Sequence, residues 1–308
     1  MSFKVVLAAV TAGLAFVATT PGPAEAAQPA QAITRCGQAI AASYAYLTKD
    51  LTCTQGFRIS GRQAPEAPPV IVTIDLRGHR FSGQGVGRGV DFSSNRFFVG
   101  DVYTLKNGRI SNWDNGAVAG GYPTITVSKV VFENNEIGFW CEAECTIRDT
   151  VFRRNGVGLL DTYNANVVRT AFAQNRIGVD AAYYDVVSGT NIEYASFDSN
   201  EIGVIARAIL HSASVRKSLF TRNKVGLTSG SDVDSPTIAA MDNVFTKNYD
   251  GIYIKPDVEY DARNVQLRRN IALRNSRYGI YAPGATDLGG NRGAGNGQAC
   301  VGVTCTRP

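Results

Sequence analysis

The chain has 308 residues, with 31 lysines and arginines against 26 aspartates and glutamates and a formal charge of +5. That mild positive balance suits anionic partners such as uronic-acid polymers and is equally ordinary in a secreted protein. No run of Lys and Arg interleaved with aromatics points to nucleic acid, and no segment offers the roughly 20 apolar residues of a transmembrane helix.

The first element is a leader. Lys4 precedes an apolar run from Val5 to Val17, then Pro21-Gly22-Pro23 and the small-residue sequence Ala24-Glu25-Ala26-Ala27. This is the layout of a secretory signal peptide with cleavage near Ala26, so residues 1–26 are expected to be removed and the protein to be secreted without a lipid anchor. The cysteines come as sequence neighbours: Cys36 with Cys53, Cys141 with Cys145, and Cys300 with Cys305. In an oxidising compartment these read as three local disulfides. A metal site would want histidines nearby, and His79 and His211 lie far from the thiols.

The middle of the chain is a repeat. An aromatic is followed three positions on by Asn, then by an apolar residue, Gly and another apolar residue. The pattern runs Phe132, Asn135, Ile137-Gly138-Phe139; Phe152, Asn155, Val157-Gly158-Leu159; Phe172, Asn175, Ile177-Gly178-Val179. It continues through Phe197, Asn200, Ile202-Gly203-Val204 and Phe220, Asn223, Val225-Gly226-Leu227 to Phe245, Asn248, Gly251-Ile252. A looser last copy has Ala272, Asn275 and Gly279-Ile280. Five residues before the aromatic stands another apolar column, Val127, Ile147, Val167, Ile192, Val215, Ala240 and Leu267. Two short strands joined by a tight corner, then a third strand after the glycine, produce this spacing. The expected fold is all-β, a single-domain right-handed parallel β-helix with three strands per coil. Stacked Asn amides can bond to each other along the axis, and Gly permits positive φ or a close backbone approach. The coils are expected over 70–283, with an N-terminal cap at 27–69 and a C-terminal cap at 284–308, because open stacks must cover their strand edges.

The Asn/Gly ladder, together with the phrase Val72-Thr73-Ile74-Asp75-Leu76-Arg77-Gly78-His79 and Ser82-Gly83, resembles the secreted bacterial parallel β-helix repeat proteins of the pectin-lyase-like superfamily. The resemblance covers roughly residues 70 to 285. It implies a polysaccharide, anionic by preference, as partner, and a ligand groove on the outer face of the strand after the repeat glycine; it does not imply one activity.

Period-two alternation places Trp140, Leu160, Asp180, Ile205, Thr228, Tyr253 and Tyr281 outward on that face, with Glu142, Arg207 and Lys255 two positions further on. Asp180, Arg207, Tyr253 and Lys255 form the candidate catalytic set of a lyase or epimerase, which needs a cation for the uronate carboxylate and a base for the C5 proton. Trp140, Glu142, Tyr163, Tyr183, His211 and Tyr281 are the candidate substrate-binding residues. The opposing reading makes all of these solvated side chains on a sheet face. A hydrolase pair of Asp161 with Asp180 is out of phase, since Asp161 falls at an inward position. No cofactor is expected; the acidic groups Asp232 and Asp234, and Asp257, Glu259 and Asp261, can be calcium ligands or plain surface turns. His79 reads as structural. Two functions stay open: an enzyme on acidic polysaccharide, or a noncatalytic extracellular protein presenting the solenoid face to glycan or protein. Ice binding would want regular Thr rows on a flat face, and the sequence displays none.

Overall fold

A computed structural model describes residues 29–59, 67–93, 99–161, 163–182, 188–207, 211–230, 237–255 and 264–307. The leader, Tyr183, and the acidic groups at 232–234 and 257–261 lie outside these residues. The described chain is all β, with no α-helix, and forms a parallel solenoid of about ten turns.

One coil shows how the repeat is built. Val157–Asp161, Asn164–Val168 and Ala171–Ala173 pair in parallel with Ile177–Ala181, Ser188–Glu193 and Ser196–Asp198 of the next coil. Each strand thus joins the third strand after it, and three ladders run the length of the molecule. Ladder A carries Asn164–Val168 and its equivalents, ladder B Ala171–Ala173, and ladder C Val157–Asp161. The segments expected to cap the ends carry strands of the same ladders. Tyr44–Leu47 pairs with Ile71–Asp75 at one end, and Gln298–Val301 with Tyr278–Tyr281 at the other. They keep the pleat alternation of the coils with Leu51 and Gly293 in the column of the buried Phe, and the C-terminal one carries the Asn columns on through Asn291 and Asn296.

Burial follows the columns. Phe132, Phe152, Phe172, Phe197, Phe220 and Phe245 are all fully buried on ladder B. Successive rings stack at 4.5–5.0 Å between centroids, Phe132–Phe152 being 5.0 Å and Phe220–Phe245 4.5 Å. Each ring contributes about 1.5–3 kcal/mol by leaving water. Val127, Ile147, Val167, Ile192 and Val215 line the core from ladder A, and Phe139, Leu159, Val179, Val204 and Leu227 from ladder C.

The Asn column hydrogen-bonds as its spacing suggests. Oδ1 of Asn200 accepts from the backbone N and Nδ2 of Asn175, and Nδ2 of Asn200 donates to the Phe172 carbonyl and to Asn223 Oδ1. A second, shorter ladder runs Asn243, Asn270, Asn291 at the neighbouring corner.

The glycines take the second of their two expected roles. Gly138, Gly158, Gly178, Gly203, Gly226, Gly251 and Gly279 sit within strands, outside the positive-φ region. They are small because the next coil is close: a Cβ on Gly158 would lie 2.6 Å from the Gly178 carbonyl oxygen and 3.0 Å from the Phe172 ring. The third strand therefore begins before the glycine, at Val157 rather than Leu159. Left-handed backbone is used instead by the residue before each ladder Asn, such as Arg154 (φ 54°), Gln174 (57°) and Ser199 (58°). Holding a residue with a Cβ there costs about 1–2 kcal/mol, and the stacked amides that follow offset it.

All three cysteine pairs are bonded, Cys36 to Cys53, Cys141 to Cys145 and Cys300 to Cys305. Cys141 and Cys145 lie inside the solenoid wall, both buried. Three disulfides mark a chain made for an oxidising, extracellular setting. Among the described residues no helix is long and apolar enough to cross a membrane.

Register also corrects the expectation about threonine. Thr73, Thr104, Thr126 and Thr146 stand one above another on the outer face of ladder A. Their separations in the chain differ, so the row exists only once the coils are stacked.

Candidate functional site

The outer face of ladder C is the one the sequence pointed to, and its main column is in register as expected. Trp140, Leu160, Asp180, Ile205, Thr228, Tyr253 and Tyr281 succeed one another coil by coil. Asp180, Ile205 and Thr228 are nevertheless buried, at 7%, 6% and 7% exposure. The neighbouring outer column supplies the reason: Val157 and Ile177 pack with Ile205, and Ile137, Leu160 and Ile202 join them, forming an apolar cluster outside the main core.

Asp180 sits in that cluster, between Leu160 and Ile205. Burial pushes its carboxyl up, and the Arg207 guanidinium opposes the rise without cancelling it. Arg207 Nε donates to Asp180 Oδ1 at 2.7 Å. So two of the four candidate catalytic residues meet, on consecutive coils.

The other two do not join them. Tyr253 is three coils beyond Asp180 and Lys255 two beyond Arg207. At about 4.8 Å per coil these separations are roughly 14 and 10 Å. One reacting atom cannot touch all four groups. Lys255 is exposed, and its backbone N–H donates to Ser229 Oγ.

The candidate binding residues divide similarly. Tyr281 stacks on Tyr253 with ring centroids 5.2 Å apart. Trp140 is half-buried two coils before Asp180, its indole N–H without a partner among the described residues. Glu142 is level with Trp140, beside Gly120 and far along the axis from the tyrosines. Tyr163 is half-buried, and its backbone N–H donates to Asp161 Oδ1. His211 starts the ladder A strand His211–Arg216, which places its backbone off the ladder C face. Asp161 is fully buried with partners, accepting from Thr190 Oγ1 at 2.6 Å, as its inward phase implies. His79 lies 3.3 Å from Asp50 near the first coils. Among the described residues no group of three His, Cys, Asp or Glu side chains is arranged to hold a metal ion.

The structure assembles a second cluster around Tyr253. Arg277 Nε and Nη2 donate to the two carboxylate oxygens of Asp250. The Arg277 guanidinium also lies 5.0, 4.9 and 4.8 Å from the ring centroids of Tyr249, Tyr253 and Tyr278. Tyr278 in turn lies 4.6 Å from Tyr281. Bonding to Asp250 raises the Arg277 pKa, so the guanidinium stays charged under its rings. Asp250, Tyr249, Arg277 and Tyr278 were not singled out from the sequence. Their signal is a break in the pattern: Asp250 stands where the earlier coils carry Ile137, Val157, Ile177, Ile202 and Val225.

Compared with protein-family models, curated proteins and solved structures, the chain matches none.

Proposed function

We propose that the protein is a secreted, noncatalytic β-helix that binds polysaccharide through the tyrosine cluster around Arg277. The observation that carries this reading is the spread of the charged groups. A lyase or epimerase must bring its base and its cation to one sugar ring, whereas Asp180 with Arg207 and Tyr253 with Lys255 are coils apart. Tyr253, Tyr278 and Tyr281 instead form a half-exposed aromatic surface. Such rings bury the apolar CH face of a pyranose, and their hydroxyls meet its polar edge. Lys255, exposed two residues from Tyr253, supplies a cation for a carboxylate-bearing sugar, in keeping with the net charge of +5. Export through the leader at 1–26 and the right-handed, pectin-lyase-like form of the solenoid belong to the same reading and rest on the sequence.

A second reading has one observation in its favour. The raised Asp180 carboxyl beside Arg207 is the kind of perturbed pair that serves as an acid or base. Titration calorimetry of the secreted protein with polygalacturonate and alginate, with ultraviolet detection of unsaturated product, separates the two. Binding without product, weakened about tenfold or more by Tyr253→Ala or Tyr278→Ala, is expected. Product formation abolished by Asp180→Asn would replace the binding reading with the enzymatic one, and affinity unchanged in both tyrosine variants would remove the cluster from it.

A further inference from the structure

The outer face of ladder A is a different surface, one coil wall away from the tyrosines. Its central column reads Thr73, Thr104, Thr126, Thr146, Asn166 and Asn191, in register coil after coil, and Ser214 continues it. The column two residues earlier in each strand includes Thr124, Asn164 and Ser212. These side chains are half or fully exposed and alternate with buried core residues such as Ile125, Ala165 and Ala213.

Two features set the face apart from an ordinary solvated sheet. From Thr73 to Ala239 these two columns contain one charged residue, Glu144, and form an uncharged strip bordered on one side by the third outward column, Asp75, Lys106, Ser128, Arg148, Val168, Glu193 and Arg216, whose charges are of both signs. Threonine is a good strand former and needs no other reason to be there, but asparagine is depleted in strands. Asn164, Asn166 and Asn191 nonetheless occupy outward mid-sheet positions, away from the corners where the buried Asn ladder runs.

The amides surround a depression. Gly189 leaves a gap in the outer column between Asn164 and Ser212, and the resulting shallow cavity is lined by Thr124, Glu144, Thr146, Asn164, Asn166 and Asn191. Asn164 Oδ1 accepts from the Gly189 N–H at 3.0 Å, which fixes that amide at the floor. Asn166 and Asn191 make no hydrogen bond to another described residue through their side chains, so their donors and acceptors face solvent.

We infer that this face binds an extended, uncharged polysaccharide lying along the solenoid axis. Amides and hydroxyls supply donors and acceptors together, the inventory that matches sugar hydroxyls, and Glu144 adds an acceptor. The cations Lys106, Arg148 and Arg216 in the bordering column are separated by Ser128, Val168 and Glu193, so among the described residues they form no continuous row to neutralise a polyanion. Successive coils repeat the same groups at about 4.8 Å, which suits a linear polymer better than a compact ligand. The gap at Gly189 and the charge at Glu144 interrupt the flatness that a crystalline water lattice would require.

Affinity electrophoresis and calorimetry of the secreted protein with glucomannan, xylan and laminarin test the assignment, with Asn166→Arg/Asn191→Arg and the milder Asn166→Ala as variants. Circular dichroism confirms that each variant folds. Binding to at least one neutral polymer is expected, weakened about tenfold or more in the double variant both in the native chain and in a Tyr253→Ala background. That last comparison separates this face from the tyrosine cluster, so either site can fail alone. Absence of binding to all three polymers overturns the inference, as does loss of binding in Tyr253→Ala with the Asn variants unaffected. Slowed ice recrystallisation without glycan binding would also overturn it, replacing sugar by ordered water.

Discussion

Replacing Asn200 by Ala probes the buried amide ladder at its centre. Asn200 accepts from the backbone N–H and the Nδ2 of Asn175, at 2.9 and 3.0 Å, and donates to the Phe172 carbonyl and Asn223 Oδ1, at 3.0 and 2.9 Å. After truncation Asn223 Oδ1 keeps the Asn200 backbone N–H, and Asn175 Nδ2 keeps the Phe152 carbonyl. The Asn175 backbone N–H loses the side-chain oxygen it donates to, and the Phe172 carbonyl keeps only its place in the strand ladder, within a corner only 2% exposed at both Asn175 and Asn200. Stranding a buried polar group costs about 1–3 kcal/mol, so the substitution should destabilise the solenoid by roughly that amount. Asn166→Ala, on the exposed face, should stay within about 0.5 kcal/mol. Urea unfolding of the oxidised protein gives the global change, and hydrogen exchange at the Asn175 amide gives the local one, which matters because solenoids open coil by coil. If Asn200→Ala costs no more than Asn166→Ala and the Asn175 amide stays protected, the ladder does not hold the corner and the reasoning fails.

Gly178→Ala would place its Cβ 2.5 Å from the Gly203 carbonyl oxygen and 3.0 Å from the Phe197 ring, so a loss of about 1–3 kcal/mol is expected; unchanged urea stability would show that the coils can part there at no cost. Asp180 should titrate, by carbon NMR of its carboxyl, above the ordinary value of 3.8, and Arg207→Gln should move it further up. Because its folded-state pKa is the higher one, its favourable contribution is complete below the unfolded value and disappears as pH rises through the folded value. Asp180→Asn should therefore gain stability relative to the native protein above that pH, and a midpoint at or below 3.8 would refute the desolvation by Leu160, Ile177 and Ile205.

Stacking was legible in the chain because each repeat mark answers a local demand of the coil. Phe fills the core at one wall, Asn closes one corner with its own amide, and Gly clears space for the neighbouring carbonyl. These demands recur every coil, so residue type and spacing alone determined a parallel β-solenoid and which side chains of each strand point into its core. Cys36–Cys53, Cys141–Cys145 and Cys300–Cys305 were legible for the same reason, since each loop is short enough to close locally.

Only the tertiary structure decided which outward residues meet. Neighbours across coils are far apart in the chain, 20 residues from Thr126 to Thr146 and 31 from Thr73 to Thr104, and loops of unequal length separate them. Register restores the alignment, because backbone pairing and the buried columns allow one phase only. That alignment puts Arg207 on Asp180, holds Tyr253 and Lys255 away from them, gathers three tyrosines around Arg277, and forms the threonine and asparagine rows. A sequence lists outward residues in order along the chain; a solenoid orders them along its axis, and binding is governed by the second order.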